Sequence, residues 1–225
     1  MAKNDIVILD GIIDDEVSSK LPSNKRDEAF EYFATEQILK DSNPTKEEIV
    51  FRSIDGRNDG GIDGFYILVN GHFLSDAESF FWPRTSTELE VHLITCKHHD
   101  TFKQSPLDNI VATIFEIFDL SIDEKNLKGD YNEDLLKRRE LLKYAYRKLS
   151  PRMASFSIKI TYASRGDTSV IGESIVSRGD QIVNITEQSF GGCKANVSFL
   201  GSTELIKLSR KIPNFFFLNY HSWRF

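Results

Sequence analysis

Two charged residues stand out in the stretch Asp55-Gly-Arg-Asn-Asp-Gly-Gly-Ile-Asp63-Gly-Phe-Tyr-Ile-Leu-Val-Asn-Gly71, which is followed after an insertion by Glu90-Val-His-Leu-Ile-Thr-Cys-Lys97. Asp63 enters an apolar run directly after a glycine-rich turn, and Lys97 ends the next apolar run. The patterns of 62–70 and 89–96 predict two β-strands. Because Asn70-Gly71 is a strong tight-turn signal, we expect these strands to be neighbours, with the acidic and basic side chains close together.

The rest of the chain alternates between helical and extended patterns. Glycines 60, 61 and 64 leave room for a backbone or ligand near Asp63. The strand–helix order of the C-terminal part indicates crossover connections that add parallel strands to the sheet. We therefore predict an α/β fold with a mixed central sheet flanked by helices on both sides. The expected strands are 48–54, 62–70, 89–96, 156–162 and 195–200, and the expected helices are 12–21, 25–40, 103–120, 132–149, 171–188 and 202–210.

The sequence divides into three parts. Residues 1–24 are acidic, and we expect them to form an arm or a short helix. We expect residues 25–212 to form the α/β domain, and residues 213–225 are a short aromatic tail. A hydrophobic strand at a free terminus is an aggregation hazard. The tail could therefore pair with a second copy of the chain or with a partner protein, or it could begin a further region of a longer polypeptide.

The composition excludes several classes of protein. The chain has 225 residues and a formal net charge of −6, which argues mildly against a simple nucleic-acid coat because such proteins need basic surfaces. No stretch approaches the roughly 20 apolar residues that span a bilayer, and no secretory leader pattern is present. The two cysteines, Cys96 and Cys193, form no disulfide framework. We expect a cytoplasmic protein with no membrane partner.

An acid and a lysine on neighbouring strands suit phosphodiester hydrolysis. This reaction needs an activated water and neutralisation of the phosphate charge, which Mg²⁺ or Mn²⁺ held by carboxylates supplies. Asp63 is the candidate metal ligand and Lys97 the candidate residue that orients the water. Glu31 lies beside Phe30 on the predicted helix 25–40, close to the apolar stripe, and is the acid of that helix best placed to face inward.

Three motifs carry a resemblance to a known family. They are Ala29-Phe-Glu-Tyr-Phe33, Asp59-Gly-Gly-Ile-Asp63-Gly-Phe-Tyr66 and Leu93-Ile-Thr-Cys-Lys97, supported by the apolar helix after Lys97 and by Val197-Ser-Phe-Leu-Gly-Ser-Thr-Glu-Leu205. Together they resemble the PD-(D/E)XK nuclease superfamily, and more closely the N-terminal part of the AIPR family, the abortive phage infection proteins. The resemblance covers most of residues 25–212. It implies a restriction-endonuclease-like fold and a bacterial anti-phage setting, with Asp63 as central metal ligand, Lys97 as catalytic lysine and Glu31 as helix-borne acid.

Thr95 departs from that family pattern. The superfamily has Glu, Asp or Gln two residues before the lysine, and a hydroxyl is a poorer Mg²⁺ ligand, so Thr95 would be a weak one. Either another acid compensates, with Glu90, Asp59 and Glu36 as candidates, or the site is weakened or inactive. AIPR proteins are also usually longer than this chain.

Each of these residues also has a simpler interpretation. Asp63 could be a turn residue that bonds its own backbone, Lys97 an ordinary lysine at a strand end, and Glu31 a solvated helix glutamate. Zinc at Cys96, His98 and His99 is disfavoured because four well-spaced ligands are not available. Phe80, Phe81 and Trp82 could stack on bases, although burial against the sheet edge or a partner is favoured.

Several cations are candidates for contact with a nucleic acid. Arg139, Lys143 and Arg147 recur at four-residue intervals on the predicted helix 132–149 and could track a phosphate backbone, although a solvated face is slightly favoured. The further candidates are Arg57, His98 and His99.

The resulting expectation is a Mg²⁺- or Mn²⁺-dependent endonuclease that acts on nucleic acid, with DNA favoured, in abortive infection. The alternative is a degenerate nuclease fold that binds nucleic acid or a protein without cutting. A third class, an interaction module built around the aromatic tail, stays open.

Overall fold

The computed structural model describes residues 4–51, 53–54 and 56–212, in which the chain forms seven α-helices and five β-strands. None of these helices is both long and apolar enough to cross a membrane. The helices are α1 (Asp5–Ser18), α2 (Arg26–Leu39), α3 (Lys46–Phe51), α4 (Ser105–Ile117), α5 (Glu133–Leu149), α6 (Glu173–Ser189) and α7 (Ser202–Arg210). The strands are β1 (Gly64–Val69), β2 (His72–Phe73), β3 (Thr87–Lys97), β4 (Met153–Ser164) and β5 (Cys193–Leu200).

The five strands form one mixed sheet in the order β2-β1-β3-β4-β5. Strand β1 is antiparallel to both β2 and β3, whereas β3, β4 and β5 run parallel to one another. Parallel neighbours need crossover connections, which α4 and α5 provide between β3 and β4, and α6 between β4 and β5. The predicted α/β class, the mixed sheet and the crossovers are confirmed.

Helices cover both faces of the sheet, as alternation along the strands requires. Side chains such as Phe65, Leu93 and Ile160 belong to the core beneath α4, α5 and α6. Side chains at alternate positions, such as Tyr66, Ile94 and Cys96, belong to a second core beneath α1, α2 and α7. Each side chain on β1 and β3 therefore points to one of these two faces. Side chains on the same face can contact one another, and side chains on opposite faces cannot.

The Asn70-Gly71 turn has a different role from the predicted one. Both residues have positive φ, 51° and 78°, and the turn connects β1 to the short strand β2. Strand β3 pairs with the other edge of β1. The two strands that carry Asp63 and Lys97 are neighbours as predicted, but the connection between them runs through β2 and the segment 74–86.

The aromatic residues of that segment are divided between burial and exposure. Trp82 lies 5.7 Å from the ring of Tyr144 on α5 and 5.1 Å from that of Phe80, and its indole N–H donates to the Ala77 carbonyl. Phe81, in contrast, is 93% exposed. Phe80 and Trp82 are therefore partly buried, and the predicted burial was wrong for Phe81.

The predicted strand 48–54 was wrong, because this region begins with the helix α3. The Thr45 hydroxyl accepts from the Glu48 N–H, and the Glu48 carboxylate accepts from the Thr45 N–H. This reciprocal pair is a capping box, which satisfies two backbone donors that the first turn of a helix leaves unpaired. Among the described residues after α3, Ser53 forms an isolated bridge to Gly64, and the Ile54 N–H donates to the Asp63 carbonyl at 2.9 Å.

The N-terminal region is a helix packed on the domain. α1 buries Leu9 and Ile13 completely in the core shared with α2 and α7, and it begins and ends earlier than the predicted helix 12–21. The aromatic tail 213–225 lies outside the described residues.

Candidate active site

Strand register places Asp63 opposite Thr95. Gly64 pairs with Ile94 in the antiparallel ladder between β1 and β3, and the Asp63 N–H donates to the Ile94 carbonyl at 2.9 Å. Residues opposite each other in an antiparallel pair, and residues two apart on one strand, point to the same face. Asp63, Thr95 and Lys97 therefore share the face that α4 covers.

The glycine turn before Asp63 lies directly on α4. Gly60 and Gly61 both have positive φ, 65° and 81°, and a Cβ on Gly60 would lie 2.5 Å from the Thr113 hydroxyl. That hydroxyl donates to the Gly60 carbonyl at 2.7 Å. The turn can approach the helix this closely because it has no side chains there, and the contact fixes where the chain enters β1.

Asp63 accepts four hydrogen bonds from three residues. Its Oδ2 atom accepts from the Cys96 N–H at 2.6 Å, from Thr95 Oγ1 at 3.2 Å and from Lys97 Nζ at 3.1 Å. Its Oδ1 atom accepts from Lys97 Nζ at 3.2 Å. The Asp63 side chain is 10% exposed and that of Lys97 32%. This is a nearly buried ion pair open to solvent on the lysine side.

Burial and charge act in opposite directions on this pair. Burial raises the pKa of Asp63 above its ordinary value, against the lowering effects of Lys97 and of the Cys96 N–H. Burial lowers the pKa of Lys97, but the Asp63 charge outweighs it, and the net pKa of Lys97 is raised. A lysine with a raised pKa is an ammonium at neutral pH. Lys97 is therefore a hydrogen-bond donor and a positive charge, not a proton acceptor.

Asp59 is a second carboxylate in the electrostatic environment of this pair. Its charge raises the pKa of Asp63 and of Lys97. The Ile62 N–H donates to the Asp59 carbonyl, closing a turn, and Asp59 Oδ1 accepts from the Gly61 N–H at 2.7 Å. Asp59 therefore shapes the loop and also contributes negative charge to the site.

The other two candidate compensating acids lie elsewhere. Glu90 is paired with His92 and Lys159 at 2.6 Å each, on the opposite face of β3 from Lys97. Glu36 accepts from the Gln37 side chain on α2. Of the three candidates, Asp59 is the one whose charge acts on Asp63.

Glu31 approaches the site from the other side of the sheet. Its carboxylate accepts from Ser53 Oγ at 3.1 Å, and that hydroxyl lies 3.4 Å from the main-chain carbonyl of Asp63. Burial, followed by the Glu31 charge, raises the pKa of the Cys96 thiol, whose side chain belongs to the α2 face. It lines a cavity of about 240 Å³ together with Tyr32, Thr35 and Tyr66. Glu31 is linked to Asp63 through Ser53 but lies on the opposite face from Thr95 and Lys97.

Thr95 has no exposed surface. Its hydroxyl donates to Asp63 and so holds the carboxylate in place. Within the described ranges, no three side chains of His, Cys, Asp or Glu are grouped so that they could hold a metal ion. A metal at this site would therefore depend on few protein ligands.

The two histidines after β3 have different surroundings. His98 Nδ1 lies 3.1 Å from an Asp27 oxygen and Nε2 lies 3.4 Å from Arg165. Burial, followed by the Arg165 charge, lowers the pKa of His98, which favours its neutral form. His99 is exposed, and its carbonyl accepts from the Arg165 N–H and the Ser164 hydroxyl. Of the two, His99 is the more accessible to a ligand.

The prediction that Arg139 contacts a nucleic acid was wrong. Arg139 is 0% exposed, and its guanidinium donates to the carbonyls of Asp119 and Ile122 and to the Glu140 carboxylate. It holds the loop between α4 and α5 instead. Lys143 is partly exposed and Arg147 exposed on the same helix, and Arg57 is exposed in the loop before Asp63.

Two residues of the site were not identified from the sequence. Thr113 holds the glycine turn, and Tyr162 of β4 pairs with Thr95 and belongs to the core on this face of the sheet. Asn109 and Thr113 are four residues apart in an otherwise apolar stretch of α4, and this polar pair could have indicated a contact with the turn. Nothing local distinguishes Tyr162 from an ordinary core residue.

Comparisons with known proteins assign no relative. No family model, no curated protein and no solved structure matches this chain.

Proposed function

We propose that this domain cleaves phosphodiester bonds of nucleic acid, with DNA as the preferred substrate, at Asp63 and Lys97 with Mg²⁺ or Mn²⁺. The observation that supports it is the nearly buried Asp63 carboxylate paired with the Lys97 ammonium at the ends of adjacent strands. Ion-paired side chains with shifted pKa values are often found at functional sites.

The donor set suits a metal that the substrate helps to hold. Mg²⁺ is commonly bound through one or two carboxylates, with waters and substrate phosphates completing its shell. Asp63 would supply its Oδ1 atom, which accepts from Lys97 alone among the described residues, and Asp59 would supply the second acid. When bound, the ion would supply charge neutralisation at the phosphate and a more acidic water.

The residues of the chain have separable roles in this proposal. The Lys97 ammonium donates to a non-bridging phosphate oxygen and stabilises the charge that develops in the transition state. Thr95 and the Cys96 N–H hold Asp63 in one orientation through hydrogen bonds to Oδ2. Glu31 acts through Ser53 on the chain at Asp63 and does not contact the substrate from its side of the sheet.

The cellular setting follows from the resemblance to the abortive phage infection proteins. We propose a restriction-endonuclease-like domain of that family, acting in the bacterial cytoplasm. The mixed sheet with helices on both faces is compatible with such a fold, and the two free buried cysteines suit a reducing compartment. Pairing with a second copy or a partner protein through residues 213–225 is part of the same proposal.

A second candidate is a degenerate nuclease fold that binds nucleic acid without cutting it. It is favoured by the buried Thr95 in the place of an acid and by the lack of a three-acid group in the described residues. In that case Lys97, Arg57 and His99 would contact phosphates without hydrolysis.

A cleavage assay separates the two candidates. Plasmid, linear duplex DNA, single-stranded DNA and RNA are incubated with the protein in Mg²⁺, in Mn²⁺ and in EDTA. Cleavage that EDTA abolishes supports the nuclease and identifies its substrate. Retained binding without cleavage in either metal supports the degenerate fold, and a lack of both contradicts the two candidates together.

A further inference from the structure

The Lys97 ammonium occupies the position at Asp63 that a cation would take. Nζ lies 3.2 and 3.1 Å from the two carboxylate oxygens, so it contacts both at once. Oδ2 also accepts the Thr95 hydroxyl and the Cys96 N–H. The carboxylate that would bind a metal is thus already saturated on one oxygen and neutralised by a positive charge.

Charge at the site reinforces this conclusion. The charges of Asp63 and Lys97 cancel, and the buried Thr95 contributes no charge. Asp59 is the remaining acid identified as acting on the pair. A divalent ion added to this arrangement would face a positive charge at close range with little protein charge to balance it.

A phosphate changes this balance. The side chain of Lys97 is 32% exposed, so its ammonium can move toward an anion at the solvent side while Asp63 stays held by Thr95 and Cys96. A phosphodiester would then partner the ammonium, and the freed Oδ1 of Asp63 could bind the ion. The same phosphate offers the ion further oxygen ligands.

We propose that the Lys97–Asp63 pair makes metal and nucleic acid bind together, so that the protein alone binds divalent ions poorly and binds them well only with a nucleic acid present. This inference rests on the proposed function for the identity of the anion. Linkage requires the effect to be reciprocal, so the ion must strengthen nucleic-acid binding by the same factor.

The first test uses the wild-type protein. Mn²⁺ binding is followed through the electron paramagnetic resonance signal of the free ion, with and without a short DNA duplex, and Asp63→Asn with the same duplex corrects for ions held by the DNA. We expect at least about tenfold tighter Mn²⁺ binding when the duplex is present, within the range of ordinary coupling energies. Equal affinity with and without duplex overturns the proposal.

The second test removes the resident charge. Lys97→Met keeps most of the length of the side chain but cannot donate to Asp63, and thioether sulfur is a poor ligand for Mn²⁺. We expect this variant, without DNA, to bind Mn²⁺ at least about tenfold more tightly than wild type. Lys207→Gln removes the same charge at an exposed position of α7 and should leave Mn²⁺ affinity unchanged. A folded Lys97→Met protein with wild-type affinity overturns the proposal, and if that variant does not fold, the wild-type measurement decides.

These outcomes are independent of cleavage. Coupled Mn²⁺ and DNA binding without hydrolysis would confirm the coupling and contradict the nuclease. Cleavage together with tight Mn²⁺ binding in the absence of DNA would support the nuclease and overturn the coupling.

Discussion

The ammonium of Lys97 lies 3.2 and 3.1 Å from the two carboxylate oxygens of Asp63, although the two residues are 34 positions apart in the chain. The antiparallel pairing of β1 with β3 creates this contact, and the glycine turn held by Thr113 fixes its position. The contact determines the charge, the accessibility and the ligand capacity of the candidate site.

Loss of one member of this pair should destabilise the fold. Removing one partner of a buried ion pair leaves an uncompensated charge, and because Lys97 is about one-third exposed we expect Lys97→Met to cost about 2 kcal/mol. The double variant Asp63→Asn/Lys97→Met should be less destabilised than the sum of the two single variants. Urea denaturation of all four proteins measures this, and strict additivity would show that the pair carries no coupling energy.

Gly60 should tolerate alanine poorly because of its contact with α4. A Cβ there would lie 2.5 Å from the Thr113 hydroxyl, and its φ is also positive. Gly56 has a positive φ as well, 98°, but open space around its Cβ position. We expect Gly60→Ala to cost about 1–3 kcal/mol more than Gly56→Ala in denaturant unfolding. Equal costs would mean that the turn does not press on α4.

Arg139 should matter for stability and not for nucleic-acid binding. Its guanidinium satisfies the carbonyls of Asp119 and Ile122 in the core, so Arg139→Ala should cost about 2–4 kcal/mol. Lysine should not restore the loss because it cannot reproduce the planar donor geometry. Arg147→Ala, at an exposed position of the same helix, should change the unfolding free energy by less than about 0.5 kcal/mol. A mild effect of Arg139→Ala would contradict the described packing.

Acid should remove a contribution to stability that depends on Glu90. Burial raises the pKa of this residue, but the hydrogen bonds from His92 and Lys159 outweigh it and lower the pKa to about 2. Because the folded pKa lies below the ordinary value of 4.5, the contribution is complete above pH 4.5 and is lost as the pH falls toward 2. The partly exposed lysine limits it to about 1–2 kcal/mol.

The difference in unfolding free energy between wild type and Glu90→Gln should therefore shrink between pH 5 and about 2. Glu88→Gln serves as the control, because Glu88 lies two residues before Glu90 on β3 and is exposed. A constant difference for Glu90→Gln across this range would contradict the assigned pKa.

The parts of the fold that the sequence predicted well are those with local signals. A glycine turn, an apolar run and a terminal charge located Asp63 and Lys97 on adjacent strands. The α7 boundaries, Ser202–Arg210, were predicted to the residue, since Gly201 precedes the helix and Pro213 follows it. The capping box Thr45-Lys-Glu-Glu48 is an equally local signal, and it indicates the helix α3 where the pattern of 48–54 predicts a strand.

The other errors concern which way a helix faces. Four-residue spacing placed Arg139 with Lys143 and Arg147, but Arg139 also falls between Leu135 and Leu142, which are both buried in the core. Tertiary packing decides on which side of such a boundary a residue lies. Glu31 was predicted to face inward, and it does, but over the opposite sheet face from Lys97, which no pattern within α2 could indicate.

The most direct test of the central claim compares cleavage of the preferred nucleic acid by wild type, Asp63→Asn, Lys97→Met and the control Lys207→Gln, all in Mn²⁺ and all verified as folded by circular dichroism. We predict that both site variants lose roughly 100-fold or more of the rate, while the control retains it. Wild-type cleavage rates for a folded Asp63→Asn protein would contradict the assignment of this site.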